Sequence, residues 1–203
     1  MHTLSTSLCI LEPLVAAHAH EMFFVLSDAA IYEFENEPPP SEAWLADRYA
    51  RLESRVSTDG TQAWLNWAVR LPSGELAGYM QATVLPSRAA LVAYELASRF
   101  WRKGIGSSAV STTLEELRSN YSVRLFVAVY KAANNRSQGL LRRLGFHPAS
   151  AQHVVEFGAE PDELVMVKPV ATLRIRPGPS DALRIWRRVS VLAAQGLQSY
   201  WRH

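Results

Sequence analysis

The chain reads as a mixed α/β fold, with a central, mostly antiparallel sheet of about seven strands flanked by helices. Three observations predict it. Residues 63–70 and 76–85 are extended apolar runs joined by Pro72-Ser73-Gly74-Glu75, the signature of an antiparallel hairpin. Residues 123–129 are nearly all apolar, as in a strand covered on both faces. Helical patterns at 106–119 and 137–144 lie on either side of that strand. The length, 203 residues with 48% hydrophobic and 20% charged, is that of one globular unit. Such a chain buries about 70% of its unfolded surface, so it needs neither metal nor disulfide to fold.

The elements follow in order. Residues 6–11 read as a first strand, turned out by Glu12-Pro13. Residues 14–26 carry Val15, Ala19, Met22, Phe23 and Leu26 at helical spacing. His18 and His20 are two apart and share no helix face, so capping or solvent contact is expected of them and no metal site. Pro38-Pro39-Pro40 breaks the chain, Ser41 is a good N-cap, and Trp44, Leu45, Tyr49 and Leu52 form the apolar stripe of the next helix. Gly78 marks a bulge or a close backbone approach in the hairpin's second arm. Residues 89–96 are a third extended run, and Asn120 closes the helix that follows. Residues 153–157 and 164–168 read as a last pair of strands. Beyond them Pro177-Gly178-Pro179 is a linker to a helical pattern at 181–201 with Arg184, Arg187 and Arg188 on one face. The chain therefore divides into a domain of residues 1–172 and a basic amphipathic segment of residues 173–203. That segment is expected to dock on its own domain or on a second copy, in a possible homodimer.

Composition narrows the classes. A net charge of +2 argues for no nucleic-acid partner. No apolar run approaches the roughly 18 residues of a membrane span. Residues 8–17 are interrupted by Glu12 and Pro13 and lack a basic start, so no signal peptide is read. The lone Cys9 agrees with a reducing compartment, and a cytoplasmic location is expected.

The chain is organised around Trp101-Arg102-Lys103-Gly104-Ile105-Gly106-Ser107-Ser108, between the run at 89–96 and the helix to 119. Two glycines one residue apart allow a tight turn, the helix N-terminus behind them offers unpaired amides, and Arg102 and Lys103 add positive charge. Together they make a cradle for an anion, most simply a phosphate. A dinucleotide-binding turn would want an acid after the next strand, where Tyr130 and Lys131 stand. An ATPase-type loop would want lysine after the glycine, and Lys103 precedes it. A purely structural Gly-x-Gly turn also remains open at this point.

Downstream lies Asn134-Asn135-Arg136-Ser137, followed by Leu144-Gly145-Phe146. With Trp101, Gly104 and Gly106, this pair of segments resembles the GNAT superfamily of acyl-CoA-dependent N-acyltransferases, and within it the RimJ/RimL-like branch. The resemblance spans roughly residues 6–170 and implies a GNAT-like fold and acetyl-CoA as co-substrate. Carried across, the pyrophosphate would lie on the main chain of Lys103, Gly104, Ile105, Gly106, Ser107 and Ser108, beside Arg102. The pantetheine arm would pair with the main chain of Tyr94, Glu95 and Leu96, and Asn134 would bond its amides. A tyrosine common in the family seven residues after the asparagine is Leu141 here, so Ser137 is assigned to the CoA sulfur, with Tyr130 as a second donor. A glutamate common at the start of the strand before the turn is Leu91, and Glu95, on the same face, is the candidate base, directly or through water. Tyr32 and Phe34, ahead of the prolines, are the residues expected to touch the acceptor.

The reading that results is an acetyl-CoA-dependent N-acetyltransferase acting on a protein N-terminus or a small amine, by direct attack in a ternary complex. Leu91 and Leu141 keep a second reading alive: a non-catalytic acyl-CoA-binding module.

Overall fold

The computed structural model describes residues 1–34 and 37–170. The segment 173–203 lies outside the described residues. One eight-stranded sheet runs in the order β1-β2-β3-β4-β5-β6-β8-β7. Its strands are β1 (Leu4–Ser5), β2 (Ile10–Pro13), β3 (Ala63–Arg70), β4 (Leu76–Val84), β5 (Ala89–Leu96), β6 (Leu125–Lys131), β7 (His147–Pro148) and β8 (Glu163–Pro169). Every neighbouring pair is antiparallel except β5 with β6. A parallel pair needs a crossover, which α3 (Ile105–Asn120) supplies. The other helices are α1 (Ala19–Val25), α2 (Glu42–Leu52), α4 (Asn135–Arg143) and α5 (Ala151–Glu156).

Three expectations change. The first strand is two short ones, because the Thr6 hydroxyl turns the chain there. Its oxygen accepts the amides of Leu8 at 3.1 Å and Cys9 at 2.9 Å, and it donates to the Cys9 carbonyl at 3.0 Å. The first helix is shorter than 14–26, beginning with a 3-10 turn at Ala16–His18. There His18 accepts the Val15 amide at 3.1 Å and faces Glu12 at 3.1 Å, so this histidine caps. Residues 153–157, read as a strand, lie in and after α5. The Ser150 hydroxyl accepts the His153 amide to start that helix, and of these residues only Phe157 reaches a core.

Ser41 does cap α2, accepting the Trp44 amide at 3.1 Å, and the helix buries Leu45, Tyr49 and Leu52 against the sheet. The main core gathers Leu11, Met22, Trp67, Met80, Val110, Leu117 and Leu141, each at most 1% exposed. A smaller cluster on the opposite side of β6 joins Val127, Val165 and Val167 to Phe157.

The bulge expected near Gly78 is present. The β3–β4 register slips between Val69 and Arg70, so Ala77 has no partner and β4 bends there. Arg70 holds this corner: it bonds Glu12 at 2.8 Å, Glu21 at 3.1 Å and the Gly74 carbonyl at 2.7 Å, while Glu21 accepts the Leu76 amide at 2.6 Å. Hydrogen bonding to Arg70 holds the Glu12 carboxyl below its ordinary range. A Cβ at Gly78 would stand 1.9 Å from the Glu95 carbonyl oxygen, so no other residue fits without moving β5. Replacing Gly78 by alanine should lower stability by at least about 3 kcal/mol in urea denaturation. At Gly74, where a Cβ meets nothing within 4 Å, the same change should cost only about 1 kcal/mol for its positive φ.

Candidate active site

The site follows from where β5 and β6 part. They pair in parallel only over Ala89↔Leu125, Ala90↔Phe126 and Leu91↔Val127, although β5 continues to Leu96 and β6 to Lys131. Beyond Leu91, β5 stays with β4 and follows its bend. The Ala97 amide bonds the Ala77 carbonyl at 2.9 Å, and the register pairs Tyr79 with Glu95. Hydrogen bonding alternates along an antiparallel pair, so the main-chain groups of Glu95 turn to β4 while those of Tyr94 and Leu96 turn to the gap. This corrects the expectation for Glu95, whose main chain is occupied within the sheet. The Leu96 carbonyl is also taken, by the Trp101 indole N–H at 2.7 Å, which leaves its amide toward the gap.

The glycine turn closes one end of the gap. Gly104 caps α3 in the left-handed region, φ 81, as does Arg102 just before it, φ 58. The Gly104 carbonyl accepts the Ser108 amide at 3.0 Å. The amides of Ile105, Gly106 and Ser107 therefore have no acceptor inside the helix, whereas that of Ser108 is used, a correction to its assignment. Arg102 and Lys103 are exposed at this end, the latter with its ammonium 5.8 Å from the Phe100 ring centre. A Cβ at Gly106 would come within 3.2 Å of Leu140 and 3.3 Å of Leu96, so glycine lets α3 approach both β5 and α4.

On the α4 side, Asn134 caps the helix by accepting the Ser137 amide at 3.0 Å. That leaves the NH2 of its carboxamide as the donor a ligand would meet. Ser137 and Tyr94 bring their hydroxyls to 2.9 Å across the gap. Burial pushes the Tyr94 phenol up to about 12, so it stays protonated at neutral pH. Tyr130, on β6, is buried. Leu141, the position at which the resemblance implied a tyrosine, is wholly buried in the core.

Glu95 lies on the other face, because successive strand side chains alternate. There it stands beside Tyr79, directly opposite on β4. Tyr49 from α2 and Tyr32 from the turn after α1 are near enough to feel its charge. Tyr32 is tied down by donating to the Leu26 carbonyl at 2.8 Å. Burial first, and Glu95 second, raise both Tyr32 and Tyr79. The structure thus brings Tyr32 to Glu95 but sends Phe34 elsewhere: its ring centre lies 5.2 Å from the Arg136 guanidinium. That guanidinium also covers Trp101 at 4.3 Å and pairs with Glu33. Sequence reasoning did not assign the Tyr94 hydroxyl, Arg136, Tyr49 or Tyr79. The strand register that sets Tyr79 beside Glu95 was the one usable signal. Among the described residues no cluster of metal-binding side chains occurs.

The sequence matches the family described as acetyltransferase (GNAT) domain over residues 9–147, and the chain belongs to that family. Its fold is similar to that of the ribosomal-protein-S5-alanine acetyltransferase from Vibrio fischeri, at 17% identity and a TM-score of 0.69, covering 83% of this chain and 97% of that one. It is also similar to RimL, a ribosomal-protein alpha-N-acetyltransferase in complex with coenzyme A, at 16% identity, TM-score 0.69, and 83% and 98% coverage. A spermidine N-acetyltransferase chimera that includes the Vibrio cholerae sequence matches at 16% identity, TM-score 0.64, and 78% and 93% coverage. No curated protein shows a significant sequence match.

Because Arg136 stacks on two rings and pairs with Glu33 (each exposed to a similar degree), its replacement by alanine should cost about 1–2 kcal/mol in thermal or urea unfolding. Replacement by lysine should recover only part of this, since an ammonium cannot stack as a plane.

Proposed function

We propose that this protein is an acetyl-CoA-dependent N-acetyltransferase that brings an amine and the thioester together for direct attack. The arrangement that supports this best is the opened β5/β6 pair, with the Tyr94–Ser137 hydroxyls on one face and the Glu95 carboxylate on the other. A thioester lying in such a gap meets a proton donor on one side and a proton acceptor on the other.

The residues fit the co-substrate. The amides of Ile105, Gly106 and Ser107, with Arg102 and Lys103, would hold the pyrophosphate at the positive end of α3. The gap-facing main chain of Tyr94 and Leu96 would pair with the pantetheine arm, and the Asn134 NH2 would bond its amide. Glu95 would take the proton of the acceptor ammonium, and Ser137, backed by Tyr94, would supply one to the departing thiolate. Tyr130 is the reserve donor on the same face. The acceptor is an amine, either a protein N-terminus or a small molecule. Both classes occur among structural neighbours, in the RimL and spermidine enzymes.

Calorimetric titration should show acetyl-CoA binding at micromolar protein, and thiol release should require an added amine. Binding without release under a broad panel of amines would favour the acyl-CoA-binding module instead. Ser137→Ala should lower kcat by about 10–100-fold with the KM for acetyl-CoA nearly unchanged. Asn134→Asp keeps the capping oxygen and removes the NH2, so it should weaken coenzyme A binding without lowering the melting temperature. Asn134→Ala should do both, losing about 1 kcal/mol of cap stability.

A further inference from the structure

We propose that Tyr79 and Tyr49 complete the acceptor-amine subsite around Glu95: Tyr79 fixes the carboxylate, and Tyr49 presents its hydroxyl to the amine nitrogen. The inference rests on the reading of Glu95 as the proton acceptor and names the groups that work with it. Tyr79 and Glu95 are directly opposed on β4 and β5 with their side chains on one face, which sets the phenol beside the carboxylate. Tyr79 is itself buried, so a hydrogen bond donated to the carboxylate there is shielded from water and would fix where the carboxylate points.

Tyr49 supplies the second observation. It is 4% exposed, and its hydroxyl has no hydrogen-bond partner. A buried hydroxyl without a partner is disfavoured, and it becomes satisfied when a ligand brings the missing group. The titratable groups whose electrostatics Glu95 touches are Tyr79 from β4, Tyr49 from α2 and Tyr32 from the segment after α1, with Arg48 acting on Tyr49 and Tyr79 and Asp28 on Tyr32. Asp28 is engaged elsewhere, accepting the Ser98 amide at 2.6 Å. The phenols stay neutral, since burial raises all three. A neutral phenol oxygen accepts an N–H well, so the occupant is a primary amine arriving as its ammonium. One N–H meets the Tyr49 oxygen, and another proton passes to Glu95. The nitrogen lone pair so released forms the bond to the acetyl carbon. The C–S bond breaks with its electrons to sulfur, which takes a proton from Ser137, and the second proton that the nitrogen sheds on becoming an amide returns to Ser137.

The test uses the full chain with acetyl-CoA and three probe amines: an alanyl hexapeptide, a seryl hexapeptide and spermidine, continuing with whichever releases thiol fastest. Tyr49→Phe should raise the KM for that amine about tenfold, leave acetyl-CoA affinity unchanged, and leave the melting temperature unchanged or higher, because no partner in the protein is lost. Tyr79→Phe should move the acidic limb of the kcat/KM profile to higher pH, because a carboxylate that loses a donated hydrogen bond is more easily protonated. An unchanged amine KM in Tyr49→Phe, or an unmoved acidic limb in Tyr79→Phe, overturns the inference. Glu95→Gln separates the two levels. If it retains full activity, the base reading fails and this inference with it. If it is inactive while both tyrosine variants behave as the parent, the base stands and only the tyrosine roles fall. No turnover with any of the three amines removes both.

Discussion

Everything in this molecule that handles chemistry depends on two parallel strands ceasing to pair. β5 leaves β6 after Leu91 because its far end is bound to the bent end of β4. The bend comes from the extra residue at Ala77, and the close binding from Gly78, which lets the Glu95 carbonyl approach where any side chain would block it. The sheet hydrogen bonds that β5 does not make with β6 become main-chain groups pointing into a gap. Unpaired backbone inside a protein is disfavoured unless something satisfies it, which is the physical ground for the proposal that the gap takes an extended, amide-bearing ligand.

The alternation of side chains along β5 then divides the labour. Tyr94 and Leu96 look toward α3 and α4, where Ser137 and Gly106 meet them. Glu95 looks toward α2, where buried phenols surround it. One strand thus places a hydroxyl pair and a carboxylate on opposite faces of the same opening. Trp101 fastens the glycine turn to this strand through the Leu96 carbonyl, and Arg136 covers the same ring from α4. The glycine turn and the gap are therefore held in one fixed relation.

Much of this was legible in the chain. β3 and β5 begin and end at the residues their apolar runs indicate, and the Ser41 cap, the Gly78 bulge and the α3 start follow from local chemistry. The errors have local causes too. The Thr6 hydroxyl competes with a strand for backbone amides, and Ser150 starts a helix where a short apolar run suggested a strand. In both places a short polar side chain overrides hydrophobic period. The site was half visible. The residues of the glycine turn and the Asn134–Ser137 motif stand close together in the chain, whereas Tyr94 and Ser137 are 43 positions apart and meet only across the fold.

By itself, the sequence determined the order of elements, the caps, the glycine turn and the family to which the chain belongs, because each depends on residues within a few positions of one another. Only the tertiary structure decided which main-chain groups stay unpaired, which amide of the turn is already used, and which hydroxyls surround Glu95. Those facts depend on register and on the bend of a neighbouring strand. Such properties arise between segments rather than within them.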